Sequence, residues 1–445
     1  MKYLMSRYLE KPFLLFPVNR TAEMVNVRIY INEKVFKEAT LRISKQAEMM
    51  AEFCLEEFIG EKVEIEFFDD LKSVEHPELI GLILNTETKE QMSVYSDVVR
   101  PKFHYTSEQG FFNDPNGLLY YNENYHMFYQ WNPYGVTAGN TSWGHCISKD
   151  CFHWEELEPA IVCDREDGCI FSGSGVVDDQ NVSGLQEGEE PPILLFYTAT
   201  GYRFPPLRYF RKNFDAFFWE SEKKYTKQCI AFSTDGGKSF QKYKENPILE
   251  QICPLNRDPK VVWNEEIKKW IMILFLSEHS YQLFFSNNLL KWDKGQIIKT
   301  KESAECPDLF SLPVDGNPDK LKWVLWTAPE NYQIGHFEDC TFVKESEIIC
   351  DKAVFAGRYA SGYYAAQTFY GVPDHKVYQQ FFVRTDFKGA PFSSCMSLPL
   401  ELSLASVEGK LHLKSFPCKS VEKIRKDCHI FEKITEPVVL QEKNP

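Results

Sequence analysis

Three acidic residues stand in similar and unusual contexts. Asp114 falls in Phe111-Phe112-Asn113-Asp114-Pro115-Asn116-Gly117, Asp258 in Asn256-Arg257-Asp258-Pro259-Lys260, and Glu305 in Glu305-Cys306-Pro307-Asp308-Leu309-Phe310. Each sets an acid close before a proline. Singly, an Asp-Pro step is usually just a turn, since the carboxylate bonds nearby backbone N–H groups and proline presets φ. Jointly, such acids could cleave a glycosidic bond. That reaction needs one carboxylate to attack the anomeric carbon and one carboxylic acid to protonate the departing oxygen, roughly 5 Å apart when configuration is retained.

The elements that must position them read as strands. From His104 onward, short apolar-aromatic runs recur at Tyr125–Tyr129, Ile193–Tyr197, Trp270–Leu276 and Trp323–Thr327, seldom separated by helix-length patterns. Some lead into a similar turn: Ser148-Lys149-Asp150-Cys151-Phe152-His153-Trp154, Ser233-Thr234-Asp235-Gly236-Gly237-Lys238-Ser239-Phe240 and Ser286-Asn287-Asn288-Leu289-Leu290-Lys291-Trp292. The Asp or Asn side chain can bond the turn backbone while the aromatic residue anchors the outgoing strand. Repeated four-stranded units favour a β-propeller with a central funnel for a site, and five blades fit His104 to about Leu400. Before it, Val25–Ile31 and Val63–Phe67 alternate with period two and mark half-buried strands. The expected organisation is therefore all-β: an N-terminal β module and linker over 1–100, ending at Arg100-Pro101, and the propeller over 101–400. Segments Gly409–Lys414 and Val421–Ile430 then open a further β module over 401–445, incomplete as the chain stands.

In order along the chain, the three acidic segments resemble the WMNDPNG, RDP and EC motifs of the family 32 glycoside hydrolases, the invertase, inulinase and levanase group. Further matching pieces are Phe128–Pro133, Trp143-Gly144-His145, Phe171–Ser174, Tyr364–Phe369 and Ser397–Leu402, so the resemblance covers about Lys102–Leu413. It implies a five-bladed propeller followed by a β-sandwich, and retention of configuration through a covalent fructosyl-enzyme. It further implies that Asp114 attacks C2 of the fructosyl unit and that Glu305 protonates the departing oxygen and then activates water. Asp258 would hold the fructose hydroxyls and steady the transition state, with Arg257 keeping it ionised. Asn113, Gln130, Trp143, Ser172 and Tyr364 would line the sugar pocket with Arg257, and no metal or organic cofactor is required.

The sequence departs from the family in three places. Ala138 stands where a tryptophan commonly closes the pocket around a terminal fructose, which favours a chain running past the cleaved unit and internal cutting of a fructan such as levan or inulin. Gln380-Phe381 replaces Gly-Trp, and Pro399-Leu400-Glu401-Leu402 replaces Pro-Arg-Glu-Leu, which bears on the leaving group.

Composition sets the outer limits. A formal net charge of −14 argues against a phosphate-backbone partner, because nucleic-acid affinity draws on clustered Lys and Arg. A neutral, fructose-containing oligo- or polysaccharide suits this surface better, and oligomeric state is left open. Thirteen cysteines without CxxC pairs favour reduced thiols. No signal peptide is read, and no run approaches the ~20 apolar residues of a spanning helix. The expectation is a soluble protein of the cytoplasm, or an extracellular one if the chain is a mature or truncated form. Two alternatives stand beside hydrolysis: a fructosyltransferase using the same Asp114 and Glu305, and a catalytically silent sugar-binding propeller.

Overall fold

The computed structural model describes residues 4–69, 72–88, 99–201, 225–254, 256–301, 304–328, 331–347, 349–350 and 363–424. The expected linker therefore lies partly, and residues 425–430 wholly, outside the described residues.

The apolar runs become the second strands of blades 1 to 4, those of blades 2 and 3 buried on both faces, which is why they read as nearly continuous hydrophobic stretches. Blade 1 comprises Gly110–Tyr121, Asn124–Asn132, Ser142–Ser148 and Glu155–Ile161. Blade 2 comprises Ile170–Val177, Ile193–Ala199, Lys227–Ser233 and Gln241–Lys242; blade 3 comprises Arg257–Asn264, Lys269–Ser277, Ser280–Ser286 and Asp293–Lys299. Blade 4 comprises Asp308–Val314, Asn317–Thr327, Asn331–Glu338 and Thr341–Lys344. Blade 5 begins with Tyr363–Thr368 and Val377–Val383 and continues through the hairpin Leu400–Val407/Lys410–Pro417, whose first strand pairs with Val377–Gln379. The blade thus runs past Leu400, where the sequence sets the propeller's end. The polar alternation of Lys410–Pro417 is that of an outermost strand facing solvent, which sequence cannot tell from the start of a new module.

The first strands of successive blades touch in a ring, the fifth returning to the first. Backbone hydrogen bonds close it, from Tyr370 N to Leu118 O (2.9 Å) and from Tyr120 N to Tyr370 O (2.8 Å). Beneath the site, Lys260 on blade 3 pairs with Asp308 on blade 4 (2.9 Å) and donates to Thr368 O on blade 5 (2.8 Å), with both charges buried. Three blades are thus pinned through one ion pair.

The recurring turn sits at one place, the outer hairpin of blades 1, 2 and 3. Ser148 Oγ accepts from Cys151 N (2.9 Å) and Asp150 Oδ1 from His153 N (2.9 Å), while Trp154 Nε1 donates to Cys151 O (3.1 Å). Ser286, Asn288 and Trp292 repeat the pattern, and Ser233 and Asp235 repeat its polar half.

The N-terminal residues form two facing sheets. One carries Leu4–Tyr8, Lys62–Asp69, Val25–Ile31 and Lys34–Leu41, and the other carries Met49–Cys54, Phe13–Val18 and Leu84–Thr86. Their shared core includes Phe16, Val27, Ile29, Phe53, Val63 and Phe67, and extends to Tyr134 and Val136 of the propeller. Tyr134 stacks on Phe53 with ring centroids 4.5 Å apart. The edge strand Lys34–Leu41 is covered by blade 1, where Asn140 exchanges two 2.9 Å hydrogen bonds with the Thr40 backbone.

Candidate active site

The funnel holds a cavity of about 520 Å³ whose wall includes Asn113, Asp114, Gln130, Arg257, Asp258, Glu305 and Tyr364. Residues from all five blades meet there, blade 2 through Phe171, because the first strands converge, and register shifts re-aim their side chains. Shifts fall between Phe171 and Gly173, between Arg257 and Lys260, and between Tyr364 and Gln367. Asp258, Cys306 and Ala365 take φ of 60°, 55° and 54°, a conformation that costs free energy outside glycine and clusters at functional sites. Gly173 is required for a different reason: a Cβ there would lie 1.8 Å from Phe196 O, so only glycine lets the blade 2 strand bulge beside Ser172.

Asp114 is buried and held on both oxygens. Its Oδ2 accepts from Ser172 Oγ (2.6 Å), and its Oδ1 faces Asn113 Nδ2 at 3.3 Å. Asn113 also donates to Gln130 Oε1 (2.9 Å), and Gln130 Nε2 donates to Ser172 Oγ (2.7 Å). Three neutral residues therefore fix the orientation of one carboxylate. Burial pushes its pKa up to about 6; the Ser172 bond opposes this, Glu305 adds to it, and the Arg384 charge opposes it again.

Glu305 is the most open of the three acids. Tyr364 donates its phenol to Oε1 (2.7 Å), and Arg257 Nε donates to Oε2 (3.1 Å). Arg257 stands farther from Asp258, at 3.6 Å. Arg257 still favours the ionised form of Asp258, in the direction expected, but it is outweighed. Burial raises the Asp258 pKa well above the ordinary range, Arg257 only partly opposes it, and Glu305 and Asp114 raise it further. One guanidinium committed to Glu305 does not offset desolvation plus two neighbouring carboxyls.

Residues 104–415 match the family described as "Glycosyl hydrolases family 32 N-terminal domain". The chain belongs to glycosyl hydrolase family 32. A levanase of Bacillus subtilis is 34% identical over 356 residues, covering 75% of this chain and 49% of that protein. An invertase of Schizosaccharomyces pombe is 39% identical over 246 residues, covering 53% of this chain and 39% of that protein. A solved β-fructofuranosidase of Schwanniomyces occidentalis, complexed with fructosyl-erythritol, superposes with a TM-score of 0.60 at 32% identity, over 72% of this chain and 62% of that one. The family 32 chain thus spans half or less of the length of these two curated relatives.

Within this family 32 site, two residues named from sequence do not line the cavity. Trp143 is fully buried, donates Nε1 to Phe171 O (3.1 Å) and packs against Phe128 and Tyr197, so it supports the wall from behind. Ser172 is buried with its hydroxyl spent on Asp114. Of the departures from the family pattern, Ala138 does stand in the wall. Gln380 and Phe381 do not: Gln380 donates to Ser397 O (3.0 Å), and Phe381 sits in the core against Tyr363.

Several contacts escape the motifs. Thr198 Oγ1 accepts from Asp258 N (3.0 Å), and Cys306 N donates to Asp258 Oδ2 (3.2 Å). The Cys306 thiol lies 3.8 Å from Asp114 Oδ2 and 3.6 Å from Asp258 Oδ2, bridging the two carboxyls. Cys306 is the cysteine of the Glu-Cys segment, whose sequence gives no sign that the thiol reaches both carboxyls. Arg384 comes from blade 5 and Arg20 from the N-terminal module, neither with any local signal. Arg20 Nε is paired with Glu48 (2.5 Å) and its guanidinium reaches across to Phe387 O (3.1 Å), clamping the rim.

Proposed function

We infer that the protein is a retaining β-fructofuranosidase acting on fructans or shorter fructosides, with Asp114 as nucleophile and Glu305 as acid/base. The observation that carries this reading is the placement of Asp114, Asp258 and Glu305 from three different blades in one cavity, with Asp114 oriented by a chain of neutral hydrogen bonds. Similarity to a levanase and to invertases supports the substrate class. Asp114 attacks C2 while Glu305 gives its proton to the leaving oxygen; water activated by Glu305 then releases the fructosyl unit. For the first step Glu305 must carry a proton and exchange its Arg257 contact for one to the substrate oxygen. Asp258 and the Arg257 fork then face the fructose hydroxyls. Size separation of products from levan, inulin and sucrose, beside a Glu305→Gln control, tests the reading. Fructose or oligosaccharides released by the wild type alone support it. Turnover unaffected by the substitution removes the acid/base assignment, and transfer to sugar acceptors in place of water would indicate a fructosyltransferase.

The pH dependence follows from Asp114. The nucleophile must be ionised, and its pKa in the free enzyme is pushed up to about 6. The acid limb of kcat/KM is therefore expected near pH 6, with activity falling as pH drops through it. Arg384 favours the ionised form. Arg384→Gln should move the limb to higher pH, and a limb that stays in place would show that Arg384 does not act on Asp114.

A further inference from the structure

A second cavity of about 360 Å³ lies between the N-terminal module and the propeller, within the ~300–1,000 Å³ range of small-ligand pockets. It is not separate from the catalytic cavity, because Arg20, Val136, Thr137 and Ala138 line both. The sill between them is the segment that carries alanine in place of the family's tryptophan. Val136 and Tyr134 sit in the core of the N-terminal module, and Asn132 Nδ2 donates to Thr137 O (2.7 Å), so the sill is held rigidly from both sides.

The far side of this second cavity is built by the N-terminal module. Phe36, on the edge strand Lys34–Leu41, is 40% exposed and faces the cavity; Phe58 meets its ring edge-on at 5.3 Å and fixes its orientation. An exposed, oriented aromatic ring is a stacking surface for the C–H face of a sugar. Several of the charges around it are spent on protein groups. Arg165 pairs with Glu38 (3.1 Å), Lys242 with Asp164 (2.6 Å), and Lys37 donates to Cys163 O (2.9 Å). A lining of mixed sign in which Arg165, Asp164 and Lys37 are committed to protein groups suits a neutral polyol better than an ion.

We propose that the N-terminal module builds a distal sugar subsite, in which Phe36 stacks on the remote part of the same fructan chain whose reacting unit occupies the catalytic cavity, the chain passing over Ala138. The proposal rests on the fructosidase reading, and its test is arranged so that the two fail differently.

Binding of a short fructo-oligosaccharide and of a long inulin-type or levan-type oligosaccharide is measured by calorimetry on the full chain carrying Glu305→Gln, alone and with Phe36→Ala or Phe36→Tyr. Turnover of sucrose is followed in parallel with Glu305 intact. The expected result is tighter binding of the longer ligand, weakened about five- to tenfold by Phe36→Ala, retained by Phe36→Tyr, with sucrose turnover unchanged by either. Affinity independent of chain length, or a length effect that survives Phe36→Ala, overturns the subsite. Length-dependent binding lost in Phe36→Ala but without turnover of any fructoside by the wild type overturns the enzymatic reading and leaves the subsite standing. No binding of either ligand overturns both.

Discussion

Replacing Asp114 with asparagine is expected to lower kcat by at least about 10⁴-fold and, at the same time, to stabilise the protein near neutral pH. The first effect follows from the proposed role of Asp114 as nucleophile of a double displacement, since loss of a reacting group typically costs four to six powers of ten. The second follows from linkage. The pKa of Asp114 rises from 3.8 to about 6 on folding because of burial, so the unfolded chain ionises this group more readily than the folded one. Stability therefore falls as pH rises from about 4 to about 6, and above that the ionised Asp114 holds the fold about 3 kcal/mol less stable than a neutral group would. Asparagine keeps an acceptor for the Ser172 hydroxyl and removes the buried charge. Urea unfolding at pH 7 and at pH 4 checks this: the variant should be more stable at pH 7, and the gain should vanish at pH 4. A variant no more stable at pH 7 than the wild type would show that Asp114 is not strained by burial.

The second large effect concerns the frame below the site. Lys260→Met leaves Asp308 buried with its hydrogen bonds from the Leu309 and Thr368 backbones (2.9 and 2.6 Å) but without its counter-ion. Breaking a buried pair from one side commonly costs about 3–5 kcal/mol, because the remaining charge stays desolvated. Lys260→Met is therefore expected to lower the urea midpoint strongly, and the double replacement of Lys260→Met with Asp308→Leu should recover part of the loss. A single variant as stable as the wild type would mean that the three blades do not depend on this contact. Lys260 follows Asp258 by two residues, so one short segment supplies both a cavity carboxyl and the ion pair that pins the strand beneath it.

Much of this was legible in the sequence because it is local. The Asp-Pro and Glu-Cys-Pro segments could be read at once, and the Ser-x-Asp/Asn turns with a following aromatic announced a repeated hairpin that the structure places once per blade in three of them. Long-range consequences were not legible. The closer pairing of Arg257 with Glu305 than with its neighbour Asp258 depends on how blades 3 and 4 meet, and sequence adjacency showed only the second of the two contacts. Trp143 lies in a motif and is nonetheless buried behind the wall, since motif membership does not say which face of a strand a residue occupies. Arg20 and Arg384 reach the rim from elements that carry no pattern of their own. The blade 5 hairpin was misread because an outermost strand and the first strand of a new sheet share the same polar alternation.

The most direct test of the central claim is to identify the residue that becomes fructosylated. The full chain carrying Glu305→Gln is mixed with an activated fructosyl donor whose leaving group needs no protonation, quenched in acid, digested and analysed by mass spectrometry. The expected result is one fructosyl unit on the peptide containing Asp114, absent when Asp114→Asn is added. A donor consumed without any adduct and with inverted configuration, or an adduct on another carboxyl, would contradict the assignment of Asp114 as nucleophile of a retaining mechanism.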